Sequence, residues 1–373
     1  MTTATRPPAA TPPPANSPAS PPAPAGVHGL SATGVTAVVL SLIGWTTIPL
    51  FLHYFAKDID AWTSNGWRYA ISALIWAPAL VIAARRGKTP SGLWKAALVP
   101  SFWNAAAQVC FALAPYFIQP GLMIFSMRLQ IVFLALSAAL MFPAERRVLR
   151  SPAFVAALLL VLGATLATIA LKPPGGTPTD GPPLADVPHA FPIGIALSIG
   201  AGLMYALYAL GVRKHMVGMN PILAFAAVSQ YTAAALVACM LLFARGHGVE
   251  AVTHLTPFTF GLLVASSLIG IGLGHTFYFY AIARIGLVVA AGVIQLQPIT
   301  VAISSMLLFD EEMTAAQWTT GLIAVAGAVA MLVIQHRVTT RDRRASMGLC
   351  KKCGYDLRGL ASGATCPECG TRA

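Results

Sequence analysis

Four cysteines near the C-terminus form the pattern with the clearest chemistry in this chain. Cys350 and Cys353 form one pair and Cys366 and Cys369 a second, with two residues inside each pair. Four thiolates at this spacing can surround one tetrahedral Zn²⁺, and four cysteine ligands leave no open position for a substrate. The pattern predicts a structural zinc site of the zinc-ribbon type. Two disulfides, or iron in the same ligand set, are the alternatives.

A buried cation is the second feature with a chemical consequence. Arg128 lies within a long apolar segment, and an arginine at membrane depth costs at least a few kcal/mol on insertion scales. Its side chain should therefore face the protein interior and find a partner there. A guanidinium suits a carboxylate or phosphate of a substrate. The alternative is that Arg128 only holds helices together through backbone carbonyls or glutamine side chains.

Glutamines in two apolar segments add hydrogen-bonding groups. Gln295 and Gln297 cannot both face lipid without leaving amide groups unsatisfied. At a spacing of two residues their side chains diverge by about 200° on a helix. We expect one to line a cavity and the other to bond a neighbouring helix, with Gln130 and Gln297 as a symmetric pair.

Three further residues complete the candidate substrate site. Arg68 is a second cation inside an apolar segment, which either binds substrate or extends toward the membrane surface. His275 is either a titrating group or an interhelical hydrogen-bond donor. Trp45 is either an aromatic wall of the site or a packing residue.

The composition identifies the class of protein that must position these residues. Apolar residues are 57% and charged residues 10% of the 373 residues, whereas soluble domains carry about 25% charged residues. The chain is therefore predicted to be an all-α polytopic membrane protein. The net charge of +12 does not indicate nucleic-acid binding, because the basic residues fall into short loops and a tail. The absence of acidic residues at depth argues against an intramembrane enzyme.

Ten apolar segments of about 20 residues have the length needed to cross a bilayer. They are numbered span one to span ten in chain order: 33–54, 62–84, 95–117, 119–142, 152–171, 191–212, 221–244, 257–282, 285–309 and 315–335.

An internal repeat relates two of these spans. Residues 129–145 align without a gap to residues 296–312, and seven positions are identical, among them Gln130 with Gln297 and Glu145 with Glu312. Internal symmetry of this kind is typical of transporters built from two halves. Because each half has five spans, the halves should cross the membrane in opposite directions, as an inverted repeat. Arg128 is aligned with Gln295.

The predicted organisation follows from these segments. It comprises a Pro/Ala-rich disordered tail at 1–30, a first five-helix repeat at 31–172, a linker at 173–190, a second five-helix repeat at 191–337 and a zinc-binding tail at 338–373. With the N-terminus inside, the inner loops hold ten Lys and Arg residues and the outer loops three. The positive-inside rule then places both termini in the cytoplasm.

The chain resembles the EamA-type drug/metabolite transporters. The resemblance rests on the five-plus-five layout, on Glu145 and Glu312 after spans four and nine, on Gly321 and Gly327 in span ten, and on Gly44-Trp45 and Trp67-Arg68-Tyr69 in the first half. Ala144 and Glu311 replace the glycine that the family tends to have before the glutamate. The resemblance implies a carrier of small metabolites in a bacterial inner membrane.

The sequence thus favours a secondary transporter, independent of ATP, that moves a small anionic or zwitterionic metabolite by alternating access. A membrane-anchored scaffold or sensor acting through the zinc tail is the alternative. The expected partners are the lipid bilayer and a small-molecule substrate. A cytoplasmic protein that docks on the zinc tail and a homodimer are left open.

Overall fold

The computed structural model describes residues 31–171, 182–360 and 363–372. The predicted N-terminal tail at 1–30 and residues 173–181 of the predicted linker lie outside the described residues.

Ten helices in the described ranges are long and apolar enough to cross a membrane, as predicted. In chain order, spans one to ten are Ala32–Phe55, Ala61–Arg85, Leu93–Tyr116, Pro120–Met141, Pro152–Ala170, Ala190–His215, Pro221–Phe243, Pro257–Ile282, Val288–Phe309 and Ala315–Ser346. Large apolar side chains such as Leu74, Leu140 and Leu242 are more than 70% exposed. Since only lipid accommodates such a surface, the exposed apolar perimeter identifies a multi-pass membrane protein.

The helices pack in a regular set of pairs. Span two packs against span seven, span five against span ten, and span four against span nine. Span three packs against span six, and span one against span eight. The interior is therefore assembled from both parts of the chain.

Spans four and nine are each interrupted near the middle. Span four consists of helices Pro120–Met127 and Gln130–Met141, and span nine of helices Leu287–Ile294 and Gln297–Phe309. At each break the backbone tightens to i→i+3 hydrogen bonds, from Ile131 N–H to the Arg128 carbonyl (3.1 Å) and from Leu296 N–H to the Val293 carbonyl (3.0 Å). A tightened turn inside a helix often marks a functional hinge.

Span eight contains a different irregularity. Helix Pro257–Ser266 continues as a π-helix at Ser267–Leu273 and then as helix Gly274–Ile285. Short π-helical segments inside α-helices frequently lie at functional sites. Gly274 has no side chain at the point where the Trp45 ring approaches, and an added Cβ would lie 2.7 Å from Trp45 Nε1.

A carboxylate between spans nine and ten holds the start of span four. Glu311 is 4% exposed, and its carboxylate oxygens accept hydrogen bonds from the N–H groups of Gly121 (2.8 Å) and Leu122 (3.0 Å). Burial raises the pKa of Glu311, and these two backbone bonds offset part of that rise. The positive end of a helix dipole favours a negative charge at this position. We call the end of the bundle that carries this contact the Glu311 face.

The opposite end of the bundle, where span ten leaves toward the C-terminus, is the tail face. Here Arg213 Nη2 at the end of span six lies 2.6 Å from Glu145 Oε1 after span four. Span ten itself continues to Ser346, well beyond the predicted end at 335. Its polar extension contains Arg341, Arg343 and Arg344, which are good helix formers, and Asp342 forms an ion pair with Arg147 (3.7 Å).

The Glu311 contact is tested by the Glu311→Gln variant. In glutamine an NH2 group replaces one of the two accepting oxygens, so one buried N–H faces a donor and loses its partner at a cost of about 1–3 kcal/mol. We expect the melting temperature of the detergent-solubilised protein to fall by several degrees.

Glu312→Gln is the matched control, because Glu312 is the adjacent residue but is exposed. Its melting temperature should equal that of the wild type. Equal stability of both variants would show that the Glu311 contact does not stabilise the fold.

Candidate functional site

Arg128 is the centre of a polar contact between the two interrupted spans. Its side chain is 7% exposed. Nη1 donates to Gln295 Oε1 (2.8 Å) and Nη2 donates to Gln297 Oε1 (3.1 Å). Both glutamines thus contact one guanidinium and do not diverge as expected, because they lie at the break of span nine, which meets the break of span four here. Its Nε has no hydrogen-bond partner among the described groups.

Span one is tied to the same centre. Gln297 Nε2 donates to the Trp45 carbonyl oxygen (2.9 Å), so this amide uses its oxygen for Arg128 and its nitrogen for span one. One turn away, the hydroxyls of Thr46 and Thr300 lie 2.6 Å apart. Trp45, a predicted residue of the substrate site, therefore contributes its backbone as well as its ring.

Two aromatic rings of span eight lie against Trp45, and a ring of span seven stacks on one of them. Its ring centroid lies 5.2 Å from His275 and 5.0 Å from Tyr278. The His275 ring in turn stacks on Phe225 at 4.4 Å. Because His275 Nδ1 lies 2.9 Å from the Ile271 carbonyl oxygen, which can only accept, Nδ1 carries the proton. This bond lies within span eight, whereas the sequence suggested an interhelical bond.

Gln130 lies beside this centre but against another helix. A Cβ added to Gly202 of span six would be 2.9 Å from the Met127 carbonyl oxygen and 3.2 Å from Gln130 N. Span six therefore packs directly on the break of span four, an approach that only glycine permits. Among the described residues, no hydrogen bond joins Gln130 to Gln297, so a role for Gln130 in a symmetric pair stays a prediction.

Arg68 lies apart from these residues and is more completely buried than Arg128. Its side chain is 1% exposed, and Nε donates to Ser266 Oγ of span eight (3.0 Å). The guanidinium also interacts electrostatically with the phenol groups of Tyr69 and Tyr205. The expected extension toward the membrane surface is not what the structure shows, because the side chain points into the bundle. Ser266, which begins no recognisable motif, is a contact that sequence reasoning missed.

The four predicted cysteine ligands come together in the tail. Their Sγ atoms all lie within 4.8 Å of one another, and all four are free thiols. A tetrahedral metal with metal–sulfur bonds of about 2.3 Å separates its sulfurs by roughly 3.8 Å. The arrangement is suited to a metal ion.

Two similar turns present these thiols. Gly354 N–H donates to the Cys350 carbonyl (2.9 Å), and Gly370 N–H donates to the Cys366 carbonyl (3.0 Å). Both glycines have positive φ, +86° and +66°, which side chains rarely tolerate. Arg344 Nη1 donates to the Lys352 carbonyl (2.7 Å), which fixes the first turn to the end of span ten.

Comparisons with known proteins agree with this architecture. Residues 192–333 match the EamA-like transporter family. A solved protein crystal structure superposes with a TM-score of 0.54 at 15% sequence identity, covering 82% of this chain and 99% of the other. At that identity the likeness concerns the fold alone. No curated protein sequence matches the chain.

The family match includes span nine, with Gln295 and Gln297. It also includes span eight, which packs against Trp45 and Arg68. The cysteine cluster at 350–369 follows the matched region and supports a zinc-ribbon-like tail. The chain carries an EamA-like transporter domain at residues 192–333.

Proposed function

We propose that this protein is a secondary transporter that moves a small anionic or zwitterionic metabolite by alternating access around Arg128. The observation that carries the proposal is the chemistry of the Arg128 contacts. A desolvated cation is held by two neutral amide oxygens, and among the described residues no ion pair includes it. Its positive charge is therefore positioned but not neutralised, which suits an anionic ligand.

The helix pairing supports a five-plus-five inverted repeat. A two-fold axis that relates spans one to five to spans six to ten would pair spans two, four and five with their own equivalents, and these pairs occur. The same axis would convert the contact of span three with span six into that of span eight with span one, and both occur. The breaks at Arg128 and Gln295 fall at aligned positions, as expected for a site at a repeat interface.

The contacts at the two faces support alternating access. Glu311 joins the span nine–ten connection to span four at one face, and the Glu145–Arg213 pair joins span four to span six at the other. Access from either face requires that the contact there be broken. Span four, which is interrupted between these contacts, is the proposed moving element.

The positive-inside rule supports an orientation with the tail face in the cytoplasm of a bacterial cell, and hence a location in the inner membrane. In that orientation the cysteine tail lies in a reducing compartment, where disulfides rarely persist. We propose Zn²⁺ as the ion that Cys350, Cys353, Cys366 and Cys369 hold. Four thiolate ligands make its role structural.

A scaffold or sensor is the second candidate function. It is favoured by one observation, the direct attachment of the cysteine turns to the end of a membrane-spanning helix through Arg344. A rigid attachment of this kind can present a docking surface to a cytoplasmic protein.

Arg128→Gln tests the transport site. Metabolite profiles of a null strain and an overexpressing strain first identify the substrate, and uptake into liposomes is then measured. Since hydrogen bonds to charged groups contribute about 1.5–3 kcal/mol, we expect uptake efficiency to fall at least roughly tenfold. Arg128→Lys should recover only part of it, because a lysine cannot form the forked contact.

Arg284→Gln is the control for that experiment. Arg284 is a cation at the end of span eight that lies over the exposed Tyr280 ring, 5.1 Å from its centroid. Uptake by this variant should be unchanged. Unchanged uptake by Arg128→Gln would refute the binding role of Arg128.

Removal of residues 347–373 distinguishes the two candidate functions. The deletion begins after Ser346, where span ten ends, so that the helix and the Asp342–Arg147 pair are kept. A transporter should retain uptake into liposomes and the metabolite phenotype in cells. Loss of the cellular phenotype with uptake retained would favour the scaffold.

The metal proposal predicts one Zn²⁺ per chain in the purified protein, measured by elemental analysis. Cys350→Ser should lower the zinc content well below one, because a structural site needs all four ligands. Cys110→Ser is the matched control, since Cys110 lies in span three away from the cluster. Stoichiometric iron, or two disulfides detected by mass spectrometry, would overturn the assignment.

A further inference from the structure

Span two carries a stripe of buried polar groups that lack partners. Ser64, Arg68 and Ser72 follow one another at intervals of four residues, which places them on one side of a helix. They are 1%, 1% and 0% exposed. Ser64 Oγ, Arg68 Nη2 and Ser72 Oγ have no hydrogen-bond partner among the described groups. Unpaired polar groups inside a membrane protein are costly, and they mark ligand or ion paths.

The stripe faces the interior of the bundle. The opposite side of span two packs on span seven: a Cβ on Gly66 would lie 2.6 Å from Met240 Sδ, and Gln230 Nε2 donates to the Ala73 carbonyl (2.8 Å). Arg68 points the other way, to Ser266 at the point where the π-helix of span eight begins. Its unpaired Nη2 is therefore buried on the side of span two that faces span eight.

Arg68 and Arg128 lie at matching depths. Span two begins at Ala61 and span four at Pro120, and both begin at the Glu311 face. Arg68 and Arg128 follow these starts by about seven and eight residues, which at 1.5 Å per residue is roughly 10–12 Å into the bundle. The Cα atoms of the two residues thus lie at similar depths along their helices.

Tyr205 of span six lies near Arg68, on a helix that packs against the break beside Arg128. Gly202 packs on Met127 and Gln130 at the break of span four, and Tyr205 follows one helical turn later, on the same side of span six. The Tyr205 phenol also interacts electrostatically with Arg68. Tyr205 is therefore close to Arg68 and lies on the side of span six that packs on span four.

Neither cation has a carboxylate to balance it. Among the described residues, ion pairs join Arg147 to Asp342, Arg213 to Glu145 and Arg358 to Asp356, and no ion pair includes Arg68 or Arg128. Each of these two buried cations is poorly solvated in a low-dielectric interior. A ligand with two negative groups would balance both charges, whereas a monoanion would balance only one.

We propose that Arg68 is a second anion-binding group of the transport site, and that the substrate is a small dianion that bridges Arg68 and Arg128. One anionic group is bound by Arg128 between Gln295 and Gln297. The other is bound by the free Nη2 of Arg68, with the Ser64, Ser72 and Tyr205 hydroxyls as additional donors. This inference rests on the proposed transport function and specifies its substrate class.

The test compares linear dicarboxylates of increasing length, from succinate to adipate, with monocarboxylates of the same chain lengths. Binding to the purified full-length protein in nanodiscs is measured by isothermal titration calorimetry. We expect the best dicarboxylate to bind at least tenfold more tightly than its monocarboxylate. Arg68→Gln should remove this difference by lowering the affinity for the dicarboxylate to that for the monocarboxylate.

Arg68→Lys separates charge from folding. A lysine keeps the positive charge, so this variant should retain most of the preference for the dicarboxylate even where Arg68→Gln is poorly folded. Arg128→Gln should weaken binding of both ligand types.

Each alternative result has a distinct meaning. Equal wild-type affinity for the two ligand types, or a dicarboxylate preference that survives Arg68→Gln, would overturn the role of Arg68 and leave the proposed transport function standing. Binding of neither ligand type to folded wild-type protein would overturn the anionic substrate itself, and with it both proposals.

Discussion

The interior of this protein is organised around a charge that has been removed from water. The guanidinium of Arg128 cannot lie among apolar helices unless oxygen dipoles replace its hydration. Gln295 and Gln297 supply those dipoles from span nine, which requires the breaks of spans four and nine to face each other. The second amide group of Gln297 then fixes span one through the Trp45 carbonyl. Three spans from different parts of the chain are thus positioned around one side chain.

Amide oxygens and carboxylates differ in the net charge of the contact that each forms with a buried cation. A carboxylate partner would neutralise Arg128 and, in a low dielectric, hold it in one arrangement. An amide accepts a hydrogen bond without carrying charge, so the complex of Arg128 with two glutamines remains a cation. The same reasoning applies to Arg68, whose one side-chain partner is the Ser266 hydroxyl. The bundle thus stabilises positive charge by hydrogen bonding alone, which keeps that charge available to a ligand.

The sequence predicts the features that follow from local composition or from short spacing. Ten spans are evident because crossing lipid requires long apolar segments, and the cysteine cluster is evident because metal ligands recur at fixed intervals. The contact of Arg128 with the glutamines was one of two alternatives. In contrast, Glu311 reads as a loop acid until its backbone partner Gly121, 190 residues away, is known. Span four also breaks without a proline, at the point where Gly202 of another helix packs against it. Such features depend on contacts between distant segments, which a single sequence does not record.

The contacts that close the two faces differ in strength for a physical reason. At the Glu311 face a carboxylate that is 4% exposed is held by two backbone N–H groups at a helix start, where solvent and salt cannot compete. At the tail face Glu145 pairs with Arg213, whose side chain is 48% exposed, and ion pairs open to solvent contribute only about 0–1 kcal/mol. Separating Glu145 from Arg213 exposes groups that water can solvate. Releasing Glu311, in contrast, leaves two N–H donors and a buried carboxylate without hydrogen-bond partners. Breaking the Glu145–Arg213 contact therefore costs less free energy than breaking the Glu311 contact. A dianion bound between Arg68 and Arg128, at a level about 10–12 Å from the Glu311 face, would change this balance by drawing spans two and four together.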